Sequence, residues 1–258
     1  MEEPEYDNRT IELLEHIWGD GFLSPGGPAE VDLIVAKADL ANKTVLDIGC
    51  GTGGITTHLA KQYQLRKIVG FDVEGPGHEM AKQQLSKTSE INTQVEFVLG
   101  EPGPLPFEDA SFDLVFTKDA LIHVENLDST LLEINRILKP NGVFLGCDWM
   151  ARDSGNISTE MQEYLESEGF EFAPKTMDDY RKAFDSGNFG SIEMTNRNQW
   201  HKEQVKQEIE HISNTYHAEL VEKFGTEFID EQLNAWNHLS IVSNSGELFP
   251  AHFYCEKK

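Results

Sequence analysis

Long apolar runs are missing from this sequence. Nowhere do 18 consecutive residues stay apolar, so no segment is expected to cross a membrane as a helix. Cysteine is sparse: Cys50, Cys147 and Cys255 lie far apart and form no C-x-x-C pair. That spacing argues against a zinc site and a disulfide framework, and it fits a reducing cytoplasm. Basic residues are few, with 21 Lys and Arg against 45 Asp and Glu, a formal net charge of −24 over 258 residues. A field of that sign repels phosphate backbones and anionic lipid surfaces. Nucleic acid and membrane are therefore not expected as partners, whereas a cationic small molecule is accepted more easily. No His and carboxylate cluster shows ligand spacing, so no metal is expected. The opening "MEEPEYDNRT" is acidic and lacks the apolar stretch of a secretory signal. Repeats and low-complexity linkers are also absent, and a cytoplasmic monomer is the expectation.

What the sequence does contain is an alternation of short apolar strands and helical stretches from Thr44 to about Cys147. "KTVLDIG", "KIVGFDV", "QVEFVLG", "FDLVFTK" and "NGVFLGCDW" read as strands, each bounded by Gly, Pro, Asn or Asp. Ile55, Leu59, Ala60 and Tyr63 recur at helical spacing, as do Leu127, Leu131, Ile134 and Leu138. The Lys139-Pro140-Asn141-Gly142 turn is expected to stop that second helix before the fifth strand. Alternating β and α elements imply a mostly parallel sheet covered on both faces. Residues 8–39 read as two helices broken at "GDGFLSPGGP". After Trp149 comes a polar stretch, then a helix near Met177–Asp185 and a strand near Phe189–Thr195. Val205, Ile209, Ile212, Tyr216, Leu220 and Phe224 predict one long amphipathic helix. "LFPAHFYCE" is the final strand. Helices inserted this late in an α/β chain are expected to form a lid over the carboxyl ends of the sheet.

The stretch "VLDIGCGTGG" fits two nucleotide-binding patterns. Gly49, Gly51 and Gly54 give G-x-G-x-x-G, the dinucleotide fingerprint. Asp47, Gly49, Gly51 and Gly53 give the D-x-G-x-G-x-G loop of S-adenosylmethionine (SAM) proteins. Asp47 separates the two, because a carboxylate beside the loop repels a pyrophosphate and attracts the cationic amino group of a methionine. Asp72 ends the next strand, where a carboxylate can accept the hydroxyls of a ribose. It does not discriminate, since dinucleotide proteins place an acid there too. Glu101 follows the third strand and precedes "PLPFEDASFDLV".

Together, "VLDIGCGTGG", "GFDV", "PLPFEDASFDLVFTKDALIHV" and "LLEINRILKPNGVF" resemble the class I SAM-dependent methyltransferases over roughly residues 40–148. The resemblance implies a Rossmann-like α/β fold with a seven-stranded, mostly parallel sheet whose last strand is antiparallel. It also implies one methyltransferase domain over residues 1–258. Within it, 1–40 form a helical cap, 41–148 the SAM-binding core, and 149–258 the lid helices with the last two strands. Asp47, Gly49, Gly51, Gly53, Asp72, Val73, Glu101 and Asp119 are implied to bind SAM, which leaves as S-adenosylhomocysteine (SAH).

Outside the core, "EYDNRTIELLEHIWGDGFLSPGG" and "KDALIHV" resemble the phosphoethanolamine methyltransferases and related small-amine enzymes acting on sarcosine and dimethylglycine. Tyr6 and His123 fall on that family's catalytic positions, Ser24 on its S-x-G-G segment, and Asp148 with Trp149 on its Asp-aromatic pair. His123 follows Asp119 by four residues, so a helix there would set both on one face, with Asp119 orienting the imidazole. Trp149 is a candidate for holding a methylated ammonium through its ring. That family grips phosphate with an Arg, a Tyr and a Lys. Phe170 and Phe172 stand at the first two positions here, and the third falls near Leu239. Glu166, Glu168 and Glu171 nearby oppose a phosphate, and Arg152 or Arg181 is the nearest partner for a substrate carboxylate. The expected function is SAM-dependent N-methylation of a small, cationic amine, with Phe170 and Phe172 lining its site. The alternatives are C- or O-methylation of an apolar molecule of quinone or sterol type, and a non-catalytic SAM-binding subunit.

Overall fold

The computed structural model describes residues 7–88, 91–153, 155–168 and 174–258. Tyr6, Phe170, Glu171 and Phe172 lie outside the described residues. Seven strands form one sheet: β1 Thr44–Ile48, β2 Lys67–Asp72, β3 Gln94–Leu99, β4 Phe112–Lys118, β5 Leu138–Ala151, β6 Phe189–Asn196 and β7 Leu248–Lys257. Their order is β3-β2-β1-β4-β5-β7-β6. The pairs β2–β3, β1–β2, β1–β4 and β4–β5 are all parallel. β7 runs against its neighbours. Cys255 Sγ bonds Phe144 O and Lys257 Nζ bonds Leu138 O, so β7 residues climb in number as β5 residues fall. Lys258 N to Asn188 O and Ser191 Oγ to Glu256 Oε2 give the same sense against β6. The sheet is therefore mostly parallel with its last strand antiparallel, as the motifs imply.

Burial explains why these strands were legible. Every residue of β1 is buried and only one of β4 is not, so both read as mostly apolar stretches without strict alternation. The edge strand β3 alternates exposed and half-buried residues over most of its length. One boundary moves. The 139–142 turn does not precede β5 but lies inside it. Leu138 pairs with Phe112 and Val143 with Leu114, and Asn141 takes a left-handed φ of 60° in the excursion between them. Leu138 is thus a strand residue, not the last turn of a helix.

The chain divides into two compact units. The first runs up to Asp148 and adds Tyr180–Met194 and His252–Lys258. Its helices include α1 Asn8–Trp18, α2 Gly27–Val35, α3 Gly54–Gln62, α4 Gly75–Lys87 and α5 Leu127–Ile137. Asp7 caps α1 by accepting from Thr10 N at 2.8 Å. Between β1 and β4 the strand order reverses, which opens a crevice at their carboxyl ends.

The second unit holds Trp149–Asp179 and Thr195–Ala251. Its helices are α6 Thr159–Ser167, α8 Asn198–Glu210, α9 His217–Phe224 and α10 Thr226–Ser245; α7, Met177–Ser186, starts here and ends in the first unit. The single long helix expected through 205–224 is broken. A π-helical turn spans His211–Thr215, Tyr216 N bonds His211 O at 2.9 Å, and the two rings stack. The spacing Ile212, Tyr216, Leu220, Phe224 is four residues throughout, which drifts off one face of a 3.6-residue helix. The wider turn absorbs that drift, and Tyr216 ends exposed. No helix among the described residues is long and apolar enough to cross a membrane.

Candidate active site

At the carboxyl end of β1, Asp47 is almost fully buried, at 1% exposure. Its Oδ2 accepts from Thr56 Oγ1 at 2.5 Å, while Oδ1 is buried with no hydrogen-bond partner. Burial pushes this carboxyl up to about 7, with the Thr56 bond opposing and the Asp72 charge adding to the rise. Asp72, at the end of β2, accepts from Gly51 N at 2.7 Å and from Glu74 N at 2.9 Å. Each carboxylate oxygen accepts more than one donor, so Asp72 shapes the glycine loop and keeps capacity for hydroxyls. Val73 is exposed just past it, and Glu101 is exposed just past β3. Since β2 and β3 pair Asp72 with Leu99, Val73 and Glu101 follow neighbouring strand ends. Cys50 lies in the loop, its thiol held protonated by burial and by Asp47 and Asp72.

The glycines of the loop serve two different needs. Gly49 has φ 72°, and a Cβ there would stand 2.3 Å from the Cβ of Ala120, just after β4. Gly54 is helical, and its Cβ would stand 2.3 Å from Gly21 O. That carbonyl accepts from Gly54 N and from Thr52 Oγ1, each at 3.0 Å. Gly21 N in turn donates to Glu15 Oε1 at 2.9 Å. The third glycine of the apparent dinucleotide fingerprint thus receives the N-terminal cap.

The end of β4 holds a buried ion pair. Lys118 Nζ donates to Asp119 Oδ2 and to Ser24 Oγ, each at 2.7 Å, with the lysine side chain 3% exposed. Asp119 has a left-handed φ of 56°, and its N bonds Cys147 O at 2.9 Å. Its Oδ1 is buried without a hydrogen-bond partner. The helix expected to align Asp119 with His123 does not form. Only a short 3-10 turn, Leu121–His123, follows, and neither Asp119 oxygen bonds the His123 ring. The left-handed residue turns the carboxylate back to Lys118 instead. On β5, buried Asp148 accepts from Tyr180 OH at 3.0 Å, and burial first, then Asp148, pushes that phenol up.

The family described as "Methyltransferase domain" matches residues 46–146, the stretch that carries Asp47, the glycine loop, Asp72, Glu101, Asp119 and His123. Over residues 46–146 the chain thus carries a methyltransferase domain of the SAM-dependent type. Phosphoethanolamine N-methyltransferase of Triticum aestivum is 25% identical to it over 248 residues, 96% of this chain and 48% of that protein. A 2-methyl-6-phytyl-1,4-hydroquinone methyltransferase of Synechocystis is 31% identical over 61% of this chain and 54% of that one. Among solved structures, Haemonchus contortus phosphoethanolamine N-methyltransferase 2 superimposes with a TM-score of 0.87 at 25% identity. That structure, a complex with phosphomonomethylethanolamine and SAH, is covered over 57% of its length and this chain over 97%. This chain spans about half the length of the wheat enzyme and 57% of the nematode structure.

SAM fits the residues of this cradle, and a dinucleotide does not. Two buried carboxylate oxygens, on Asp47 and Asp119, lack partners, which suits a ligand bringing a cationic group and repels a pyrophosphate. Asp47, the loop and Asp119 would hold the methionine end, Asp72 the ribose, and Val73 with Glu101 the adenine.

In the second unit, Trp149 is half-buried and packs with Leu239 on a cluster of Met161, Tyr164, Leu165, Val242 and Leu248. The Trp149 ring meets His201 edge-on at 4.8 Å. Three contributors escaped the sequence reading: Lys118, Thr56 and the Gly21 carbonyl. A lysine ending a mostly apolar strand was the one available signal, since "FDLVFTK" closes on a charge at its crevice end.

Proposed function

We propose that this methyltransferase acts on the nitrogen of a small amine that carries no phosphate. Bound SAM supplies a sulfonium-activated methyl group open to in-line attack by a lone pair. An amine is mostly protonated near pH 7, so the protein must first take a proton from the acceptor. His123 is the base in this reading, and the Tyr6 hydroxyl, on the family's other catalytic position, is its partner. Asp47 and Asp119 hold the donor's cationic end, and the bound geometry replaces a collision between two solutes with a positioned pair. Such positioning contributes about 7–11 kcal/mol in well-aligned cases.

Leu239 carries the exclusion of phosphate. The lysine position of the phosphoethanolamine enzymes falls near Leu239, which is half-buried here and packs, as Trp149 does, on an apolar cluster. A phosphate requires charged, bidentate donors, and Phe170 and Phe172 occupy the other two positions in the sequence. The net charge of −24 favours an acceptor that arrives as a cation.

The test is SAH formation across phosphoethanolamine, glycine derivatives and biogenic amines. Turnover of a phosphate-free amine is expected. Phosphoethanolamine turned over as fast as the best other amine overturns the reading. The same apolar cluster, with the likeness to a hydroquinone enzyme, favours a second reading in which the acceptor is an apolar ring. A silent amine panel with turnover of a hydroquinone would establish that one.

A further inference from the structure

We propose that Lys118 is a positioning residue that latches the N-terminal cap across the cofactor cradle. A lysine with 3% side-chain exposure is costly unless its charge is compensated. Its two partners come from different parts of the chain: Asp119 is adjacent, whereas Ser24 lies 94 residues away in the cap. Adjacent residues in an extended strand point to opposite faces. The pairing with Asp119 exists only because that residue adopts φ 56°, a conformation that Asp tolerates better than most residues but that still costs energy. The 2.9 Å bond from Asp119 N to Cys147 O holds it there.

The cap is fastened at a second point. Gly21 O accepts from Gly54 N and Thr52 Oγ1 on the glycine loop after β1. Residues 21–24 thus run from the β1 loop to the end of β4, the two strands between which the strand order reverses to open the crevice. One fastening is backbone and neutral; the other is a single buried cation. Lys118 also occupies one oxygen of Asp119 and leaves the second, buried and without a partner, to a ligand. The latch and the cofactor carboxylate are therefore one ion pair, and loosening the cap disturbs the group that would hold the donor.

This inference rests on the cradle being a SAM site. It is tested on the full chain with Ser24→Ala, Lys118→Met, Lys118→Arg and the Ser24→Ala/Lys118→Met double variant. The first measurement is amide exchange of residues 19–27 in ligand-free protein, and the second is the dissociation rate of SAH. Ser24→Ala and Lys118→Met are each expected to raise exchange in 19–27 and to speed SAH release about tenfold, the loss of one charge-assisted hydrogen bond. The double variant should release SAH no faster than Lys118→Met alone, because both changes break one link. Lys118→Arg should recover most of the wild-type rate. A uniform loss of melting temperature with no local change in 19–27, or additive effects in the double variant, overturns the latch. Ser24→Ala keeps the Lys118–Asp119 pair, so it is informative even if Lys118→Met fails to fold. A wild-type chain that fails to bind SAH while the exchange results hold would overturn the cofactor reading and leave the latch standing.

Discussion

Asp47→Asn should make the ligand-free protein more stable and the cofactor-bound protein weaker. Burial pushes the wild-type carboxyl up to about 7 in the fold, from an ordinary value of 3.8. A raised carboxyl contributes its stability below the unfolded value, and that contribution is lost as pH rises through the folded value. At about 1.36 kcal/mol per unit, ionising Asp47 in its buried site costs on the order of 4 kcal/mol by pH 8 and about 2 kcal/mol at pH 5. Asparagine keeps an oxygen for Thr56 Oγ1 and removes the charge. Its amide NH2 places two N–H donors where Asp47 Oδ1 has no partner, at about 1–3 kcal/mol independent of pH. The pH-dependent part is free of that constant. The variant's advantage should exceed its value at pH 5 by about 2 kcal/mol at pH 8, or about 4–8 °C in melting temperature for a chain of this size. Melting curves at the two pH values, with and without SAH, read this directly. SAH should raise the wild-type transition and do little for the variant, whose affinity should fall about 30- to 100-fold with the loss of a charge-assisted contact. A ligand-free variant no more stabilised at pH 8 than at pH 5 would refute the claim that Asp47 is an uncompensated buried acid.

His123→Ala should lower kcat about 10²- to 10⁴-fold, as removal of a general base does, while SAH still binds; calorimetry beside turnover measures both. Gly54→Ala should lower the melting temperature, although alanine ordinarily favours a helix by about 1 kcal/mol. Its Cβ would lie 2.3 Å from Gly21 O, so a rise in stability would show that the cap is not seated there. Glu30, 2% exposed on α2, meets His252 Nε2 of β7 at 2.7 Å. Glu30→Ala should cost about 1–3 kcal/mol in chemical denaturation, the cost of leaving the half-buried imidazole without its partner, and no measurable loss would count against the contact.

Much of the fold was legible because central strands buried on both faces leave an unmistakable trace. β1, β2 and β4 are largely apolar with a carboxylate near, at or just past their ends, and that punctuation placed Asp47, Asp72 and Asp119 at the crevice. The donor was legible for the same reason: an acid beside a glycine loop is a local electrostatic statement, readable without neighbours. Where periodicity failed, it failed on geometry it does not encode. The helix through 205–224 broke because a four-residue spacing cannot stay on one face, and α10 carries its buried residues without the regular stripe that would have announced it.

What the sequence by itself determined is the order of elements, the sheet and the identity of the cofactor class. Only the tertiary structure decided what each polar group faces. Asp119 lost its expected partner His123 to Lys118 through one left-handed residue. Gly54 turned out to receive a carbonyl from the cap rather than a phosphate, and Ser24 to accept from a lysine 94 residues away. Backbone patterns are set by neighbours within a few residues. The partners of a buried charge are set by whichever element packs over it, and no local spacing records that.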